Sequence, residues 1–258
     1  TGRSRTRSIT LGRPWGSLVH IFDKHGQMVY DDALPGSNYF QGIAMDKDDN
    51  LYIQHSGMPP TADGKFPPNV QRNACTLIKL KPRSRFLTPD GGIIPLPAGS
   101  RPDRPADFLW QGSQPVWIEK ADWMHGDVGL STKGSPGGNC HCFGNSRFGF
   151  DYFARSFVSE LERYRLAVLD SNGNVILRIG RYGNADDGKP LVAAKGSPAA
   201  RSIGGDEVAL MQPLFLAAQT DQRLFVADIG NYRIFSVKLG YQAEEKVALK
   251  DVKDLEKK

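Results

Sequence analysis

The chain has 258 residues, enough for one large domain or two small ones, and 40% of them are hydrophobic and 24% charged. This composition excludes global disorder, while 28 glycines and 17 prolines favour a turn-rich all-β fold. The net charge of +5 comes without a stripe of basic and aromatic residues, so no nucleic-acid partner is expected. Because no window approaches about 18 consecutive apolar residues, no membrane-spanning segment is predicted.

The chain begins with a basic segment, residues 1–16, which contains Arg3, Arg5, Arg7 and Arg13. Elsewhere, charges of both signs are mixed along the chain. We interpret this segment as a solvated N-terminal arm, with contact to a nucleic acid or another anionic polymer as the alternative. The folded unit is therefore expected to begin at residue 17.

Two segments share a hairpin pattern. LVHIFDKHGQMVY, residues 18–30, matches RLAVLDSNGNVILRI, residues 165–179, and places His25-Gly26 on Asn172-Gly173. An Asn-Gly pair between alternating apolar runs is typical of a two-residue turn, which needs positive φ at both central residues. Both segments are predicted to be antiparallel strand pairs joined by such a turn.

A longer pattern occurs three times, as GIAMDKDDNLYIQH (42–55), RSFVSELERYRLAVLD (155–170) and RLFVADIGNYRIFSVKL (223–239). The last two copies align without a gap at an offset of 68, so that Phe225-Val226 falls on Phe157-Val158. Combined with the hairpin pattern, the unit has four strands, a to d, joined by polar turns. Recurrence of four short strands with a period of about 40 to 50 residues is typical of propeller blades.

The segments VADIGNYRIFSV, GIAMDKDDNLYI and VLDSNGNVILRIGRYGN resemble the NHL repeat. This resemblance implies an all-β fold, a β-propeller of NHL type with four-stranded antiparallel blades, of which this chain would hold about four to six. The propeller is expected over residues 17–252, followed by a C-terminal tail at 253–258. A second chain or a missing segment is the expected source of any blades that the chain lacks.

The resemblance is uneven along the chain. In the central copy, Glu162 and Arg163 stand where the third copy has Gly230 and Asn231, and the first copy has no recognisable corner after His55. The region from NCHCFGNSRF to GRYGN also resembles secreted bacterial proteins with NHL-type propellers. This second resemblance implies an extracellular or periplasmic location.

Residues 81–146 interrupt the repeats with a segment rich in Pro, Gly and Trp, which we predict to be an insertion. Long insertions in a propeller project from the ends of blades, where ligand sites form. Trp110, Trp117 and Trp123 are therefore candidate ligand-binding residues, together with Arg147 just beyond the insertion. The alternative is that the three indoles pack the insertion onto the blades.

Cys140, His141 and Cys142 form a candidate metal site, with His125 as a further ligand. In an extended segment, the two sulfurs at i and i+2 point to the same side. Thiolate and imidazole ligands suit zinc or copper. The alternatives are a disulfide between Cys75 and one of the pair, or buried unreactive thiols.

The acidic run Asp46–Asn50 raises the question of calcium binding, but it lacks the Gly and Glu of an EF-hand loop. Because it falls between predicted strands a and b, we interpret it as a turn. The pairs Asp228–Arg233 and Glu160–Arg165 match at the offset of 68. Since they recur at equal positions of the repeat, they are predicted to fix the corner between strands b and c.

Three functional hypotheses follow, and the sequence leaves open whether the chain is an enzyme. The first is a non-enzymatic binding or scaffold module with a protein or glycan ligand on the loop face, as NHL-type propellers often are. The second is a metal-dependent hydrolase or lyase, as in related propellers, for which the available groups are His125, His141, Asp127 and Glu119. The third is a redox or electron-transfer component that uses Cys140 and Cys142.

Overall fold

The structure is a computed structural model, and it describes residues 3–8, 17–37, 40–65, 75–88, 100–110, 114–129, 146–184, 208–219 and 222–239. Within these ranges the chain is all-β, with nineteen strands and short 3₁₀ turns at Leu161–Arg163 and Ile229–Asn231. None of the helical turns in these ranges has the length and apolar character needed to cross a membrane. The prediction of an all-β fold is confirmed.

Most of the strands form four antiparallel sheets, named I to IV in chain order. Sheet I contains β1 (Arg3–Ser8), β2 (Ser17–Phe22) and β3 (Met28–Tyr30). Sheet II contains β4 (Phe40–Met45), β5 (Leu51–Ser56), β6 (Cys75–Leu80) and, at its far edge, β10 (Ala121–Val128). Sheet III contains β11 (Gly149–Phe150), β12 (Ser156–Glu160), β13 (Arg165–Leu169) and β14 (Val175–Ile179). Sheet IV contains β17 (Pro213–Gln219), β18 (Arg223–Asp228) and β19 (Arg233–Lys238).

Two smaller sheets complete the described structure. The predicted insertion folds in part into a three-stranded sheet of β7 (Phe86–Leu87), β8 (Phe108–Trp110) and β9 (Gln114–Ile118). A parallel pair, β15 (Arg181–Tyr182) and β16 (Ala209–Leu210), lies between sheets III and IV in the sequence. The predicted solvated arm also contributes structure, because β1 pairs with β2 along six residues.

The four sheets are stacked face to face in chain order. Alternate residues of a strand point to opposite faces, so a central sheet contributes to two cores. In β12, Val158 packs with sheet II, whereas Phe157 packs against sheet IV. In β5, Ile53 packs with sheet I and Tyr52 packs with sheet III. Both faces of the central strands of sheets II and III are therefore buried by the neighbouring sheets, which explains why these strands are almost continuously apolar.

The corner between strands b and c has the same structure in sheets III and IV. In each, a 3₁₀ turn leads to a tyrosine in the left-handed conformation, Tyr164 with φ 54° and Tyr232 with φ 50°. Glu160 pairs with Arg165 across the strands, and Asp228 pairs with Arg233. The offset of 68 inferred from the sequence therefore relates equivalent residues of the two sheets.

The short turns at the opposite end of the sheets share one aspartate arrangement. In each turn, one carboxylate oxygen accepts the backbone N–H groups two and four residues further on, over 2.8 to 2.9 Å. The four aspartates are Asp23, Asp46, Asp151 and Asp170. This arrangement accounts for the run Asp46–Asn50, which joins β4 to β5 as the turn interpretation predicted.

The predicted two-residue hairpin turn is wrong. Only the glycines have positive φ, Gly26 at 83° and Gly173 at 84°, while His25 and Asn172 do not. A register shift follows in both hairpins, between Ile21 and Phe22 and between Val168 and Leu169. The Asp carboxylate favours a longer turn that ends in a left-handed residue and a bulge, and this shape also matches the strand twist.

The contribution of Asp46 to the free energy of unfolding should depend on pH. Burial raises the pKa of Asp46, but hydrogen bonds from Asn50, Asp48 and Tyr52 outweigh it and hold this pKa below its ordinary value. The stabilisation is therefore present above pH about 3.9 and is lost as pH falls through the lower pKa of the folded state. Asp46→Asn should lower the free energy of unfolding at pH 7 by about 1 kcal/mol, after allowance for solvent screening. Urea unfolding at several pH values should show this difference shrinking below pH about 4, and a pH-independent difference would contradict the assignment.

Candidate functional site

The two ends of the stacked sheets differ in the length of their connections. The aspartate turns lie at one end. At the other end, which we call the long-loop end, the long connections that follow β5, β10 and β15 begin, and the 3₁₀ corners of sheets III and IV lie there as well. Ligand sites concentrate on long loops that a rigid scaffold positions, which makes the long-loop end the candidate functional surface.

A buried carboxylate organises the long-loop end of sheet III. The side chain of Glu160 is 5% exposed, and one of its oxygens binds Arg165 on the neighbouring strand and Arg178, at 3.4 Å, on the strand beyond. Asp127, at the end of β10, pairs with Arg163 in the corner of sheet III. These ion pairs fix three arginines at the junction of sheets II and III.

His125 lies on β10 two residues before Asp127 and is half-buried. Burial lowers the pKa of His125; the negative charge of Glu160 opposes this shift, and the positive charge of Arg178 reinforces it. The imidazole is therefore kept neutral at physiological pH, because its ordinary pKa of about 6.5 is lowered further. The neighbouring guanidinium groups also disfavour a divalent cation beside it.

Asp228 has the equivalent central position in sheet IV and is fully buried. One carboxylate oxygen accepts the N–H groups of Met211 at 3.1 Å and Gln212 at 2.7 Å. The other accepts Asn231 Nδ2 at 2.7 Å and lies 3.3 Å from Arg233 Nη2. Asp228 thus ties the corner to the segment that precedes β17, as the corner interpretation predicted.

Exposed tyrosines surround these ion pairs. Tyr232 is 96% exposed and Tyr182 is 61% exposed, and the Tyr182 ring meets that of Tyr164 edge-on at 4.6 Å between centroids. The hydrophobic side chains of Met211 and Ile229 are also exposed beside the sheet IV corner. The long-loop end of sheets III and IV therefore presents aromatic and apolar groups. We call these groups and the arginines around them the corner surface.

The corner surface carries more positive than negative groups among the described residues. Six arginines and four carboxylates lie at or beside it. The arginines are Arg147, Arg163, Arg165, Arg178, Arg181 and Arg233, and the carboxylates are Asp127, Glu160, Glu162 and Asp228. Arg163 and Arg178 keep nearly half of their side-chain surface exposed while they are ion-paired. Since arginine has five N–H donors, each can hold its protein partner and still offer donors to a ligand.

The structure separates the tryptophans that the sequence grouped. Trp117 on β9 is buried in the small sheet with Leu87 and Ala106, and its indole N–H donates to the Arg104 carbonyl at 2.9 Å. Trp123 on β10 is half-buried and donates to the carbonyl of Ser171, at 3.0 Å, in an aspartate turn of sheet III. Trp110 is the last residue of β8 and pairs with Gln114.

Arg147 is exposed and lies beside the start of sheet IV. Its backbone N–H donates to the Leu214 carbonyl at 2.8 Å, just before β11 begins. Arg147 therefore lies at the long-loop end, whereas Trp117 and Trp123 belong to other parts of the fold. A ligand-binding role for the tryptophans stays a prediction.

The predicted metal site lies mostly beyond the described residues. Cys140, His141 and Cys142 are outside the described ranges, and within those ranges no group of three His, Cys, Asp or Glu could hold a metal ion. Cys75 is fully buried between sheets II and III, and the described part of the chain contains no disulfide. The metal site and the disulfide therefore stay predictions.

Of the residues of the corner surface, the sequence analysis selected Arg147 as a ligand-binding candidate but not the tyrosines or the other arginines, although one signal for them was present. Tyr164-Arg165 and Tyr232-Arg233 coincide at the offset of 68, so each repeat places a tyrosine and an arginine at the same corner. Arg178 and Tyr182 gave no such signal, because lysines, Lys246 and Lys250, stand 68 residues further on and neither residue recurs.

Comparison with known proteins gives little further information. No protein-family model and no curated protein matches the chain. Among solved structures, virginiamycin B lyase from Staphylococcus aureus is 9% identical, and the match covers 94% of this chain and 86% of the lyase chain. A TM-score of 0.22 is too low to indicate that the two chains share a fold or an activity. The family and the activity therefore rest on no comparison.

Proposed function

We propose that the chain is a β-propeller-type array of the NHL kind that acts as a binding module, with its ligand on the corner surface. The face-to-face stack of four sheets and the repeated corner support the propeller arrangement. Each blade of a propeller buries its faces only against its neighbours, as these sheets do. We also propose that the sheets belong to a closed ring of blades.

The observation that carries the binding role is the combination of exposed tyrosines with fixed arginines on one surface. Tyrosine and arginine dominate the energetics of recognition surfaces because they combine large contact area with directional donors. The carboxylates Glu160, Asp127 and Asp228 are each held by an arginine, so they serve to position these donors. The excess of arginine favours a protein or glycan ligand that carries carboxylates.

The proposal is testable with two acidic polymers, polygalacturonate as a glycan and polyglutamate as a peptide, and with dextran as a neutral control. We expect one acidic polymer to bind saturably to the immobilised chain. Tyr182→Ala and Arg178→Ala should each weaken this binding at least tenfold, because each substitution removes a side chain that contributes much of the binding energy. Arg178→Ala leaves Glu160 paired with Arg165, so the corner should stay folded.

Tyr152 provides the matched control, because it is 77% exposed but lies in an aspartate turn at the opposite end of sheet III. Tyr152→Ala should leave binding unchanged. Failure of both acidic polymers to bind, or an equal loss with Tyr152→Ala, would contradict a ligand site on the corner surface.

A further inference from the structure

Sheet IV has one buried face and one exposed apolar face. Leu216, Leu224 and Val226 point toward sheet III and are buried. On the other side, which we call the outer face, Phe215 is 46% exposed, Phe225 is 39% exposed and Ile234 is 78% exposed. Strand pairing places Ile234 opposite Ala227, which in turn lies opposite Phe215, so the apolar groups are contiguous.

Comparison of sheet IV with sheet III, its equivalent one repeat earlier, indicates that the outer face can receive another sheet. At the offset of 68, Phe225 corresponds to Phe157 and Ile234 corresponds to Leu166. Both equivalents in sheet III are buried, because sheet IV packs on them through Leu216 and Leu224. The outer face of sheet IV therefore has the apolar residues that, one repeat earlier, receive a following sheet. Contiguous exposed apolar surface on a folded protein marks an interaction site.

A complementary face lies at the other end of the stack. In sheet I, Val19 and Ile21 are buried against sheet II, so the alternating residues Leu18, His20 and Phe22, which are half-buried, point away from it. Met28 pairs with Phe22 and is 52% exposed. This face of sheet I, which we call the leading face, is the face on which a preceding sheet would pack, in the relation that already joins each pair of consecutive sheets.

From this continuity we infer that two copies of the chain associate, with the outer face of sheet IV of each copy packed on the leading face of sheet I of the other. This contact repeats the relation between consecutive sheets within the chain, and it is heterologous, so it closes only if the rotation between copies completes a ring. Two copies with four stacked sheets each would supply eight sheets, within the range of about four to eight blades that propellers use. The inference rests on the stacking and is independent of ligand binding at the corner surface.

The test is the mass of the full chain in solution, measured by light scattering during size-exclusion chromatography over a wide range of concentrations. We expect a dimer. Ile234→Asp and, on the opposite face, Met28→Asp should each raise the dimer dissociation constant by at least about tenfold, because each places a charge in the apolar contact. Both positions are more than half exposed in one chain, so the substitutions should leave the fold intact, which circular dichroism verifies.

Ile176 is the matched control, since it is 48% exposed on β14 of sheet III and belongs to neither face. Ile176→Asp should leave the dimer unchanged. A monomeric wild type or open-ended growth would overturn the inference. So would a dimer that is lost with Ile234→Asp but kept with Met28→Asp, because that result indicates contact between two copies of sheet IV.

Discussion

Replacing Asp228 by alanine should lower the free energy of unfolding by about 3–5 kcal/mol, the cost of breaking a buried ion pair by removal of one partner. The carboxylate is fully buried and accepts hydrogen bonds from Met211, Gln212 and Asn231 while it faces Arg233. Without it, the two backbone N–H groups lose their acceptor, and the largely buried guanidinium keeps its hydrogen bond to the Ala209 carbonyl but loses its counter-charge. Urea unfolding followed by circular dichroism measures the loss.

Two further variants separate the charge from the hydrogen bonds. Asp228→Asn keeps one oxygen acceptor for the N–H groups but removes the charge, so its loss of stability should lie between those of the wild type and of the alanine variant. Asp63→Ala removes an exposed aspartate of a surface turn and should leave the unfolding midpoint unchanged. If Asp228→Ala costs less than about 1 kcal/mol, Asp228 does not hold the corner to the segment before β17.

The corner was predictable from sequence because its parts are local. Asp228 and Arg233 are five residues apart, and the 3₁₀ turn between them recurs 68 residues earlier with a different internal sequence. Glu162 and Arg163 replace Gly230 and Asn231 without changing the conformation of the turn, because the left-handed residue is the tyrosine that follows. The alternating apolar pattern likewise identified the strands of sheets III and IV.

The parts that the sequence did not predict depend on distant contacts. β10 lies within the predicted insertion but pairs with β6, 41 to 53 residues earlier, and completes sheet II. Phe86, Phe108 and Ile118 of the small sheet fill the core between sheets I and II, so much of the insertion is packed structure. The hairpin turns were mispredicted because Asn-Gly was considered alone, without the aspartate two residues before it that selects the longer turn.

Trp123 shows how a contact between sheets gives one glycine a second constraint. Gly26 and Gly173 occupy the same position in equivalent aspartate turns, with φ of 83° and 84°. A Cβ at Gly26 would meet nothing within 4 Å, whereas one at Gly173 would lie 2.7 Å from Cδ2 of Trp123. The indole is held there by its hydrogen bond to the Ser171 carbonyl and by an edge-on contact with Tyr52.

Gly26→Ala should therefore cost only the left-handed conformation of a non-glycine residue, about 1 kcal/mol. Gly173→Ala should cost this amount and a further 1–3 kcal/mol or so, because the ring must shift and its hydrogen bond weakens. Thermal or urea unfolding gives both values, and tryptophan fluorescence reports the displacement of the ring.

A double-mutant cycle tests whether Trp123 is the cause of the difference. In a Trp123→Ala background, the obstructing ring is absent, so Gly173→Ala should cost no more than Gly26→Ala does in the wild type. The coupling energy between the two sites should accordingly equal the extra cost, about 1–3 kcal/mol. Equal costs for the two glycines in the wild-type chain would show that Trp123 does not pack on this turn, and would restore the indole as a free candidate for ligand binding.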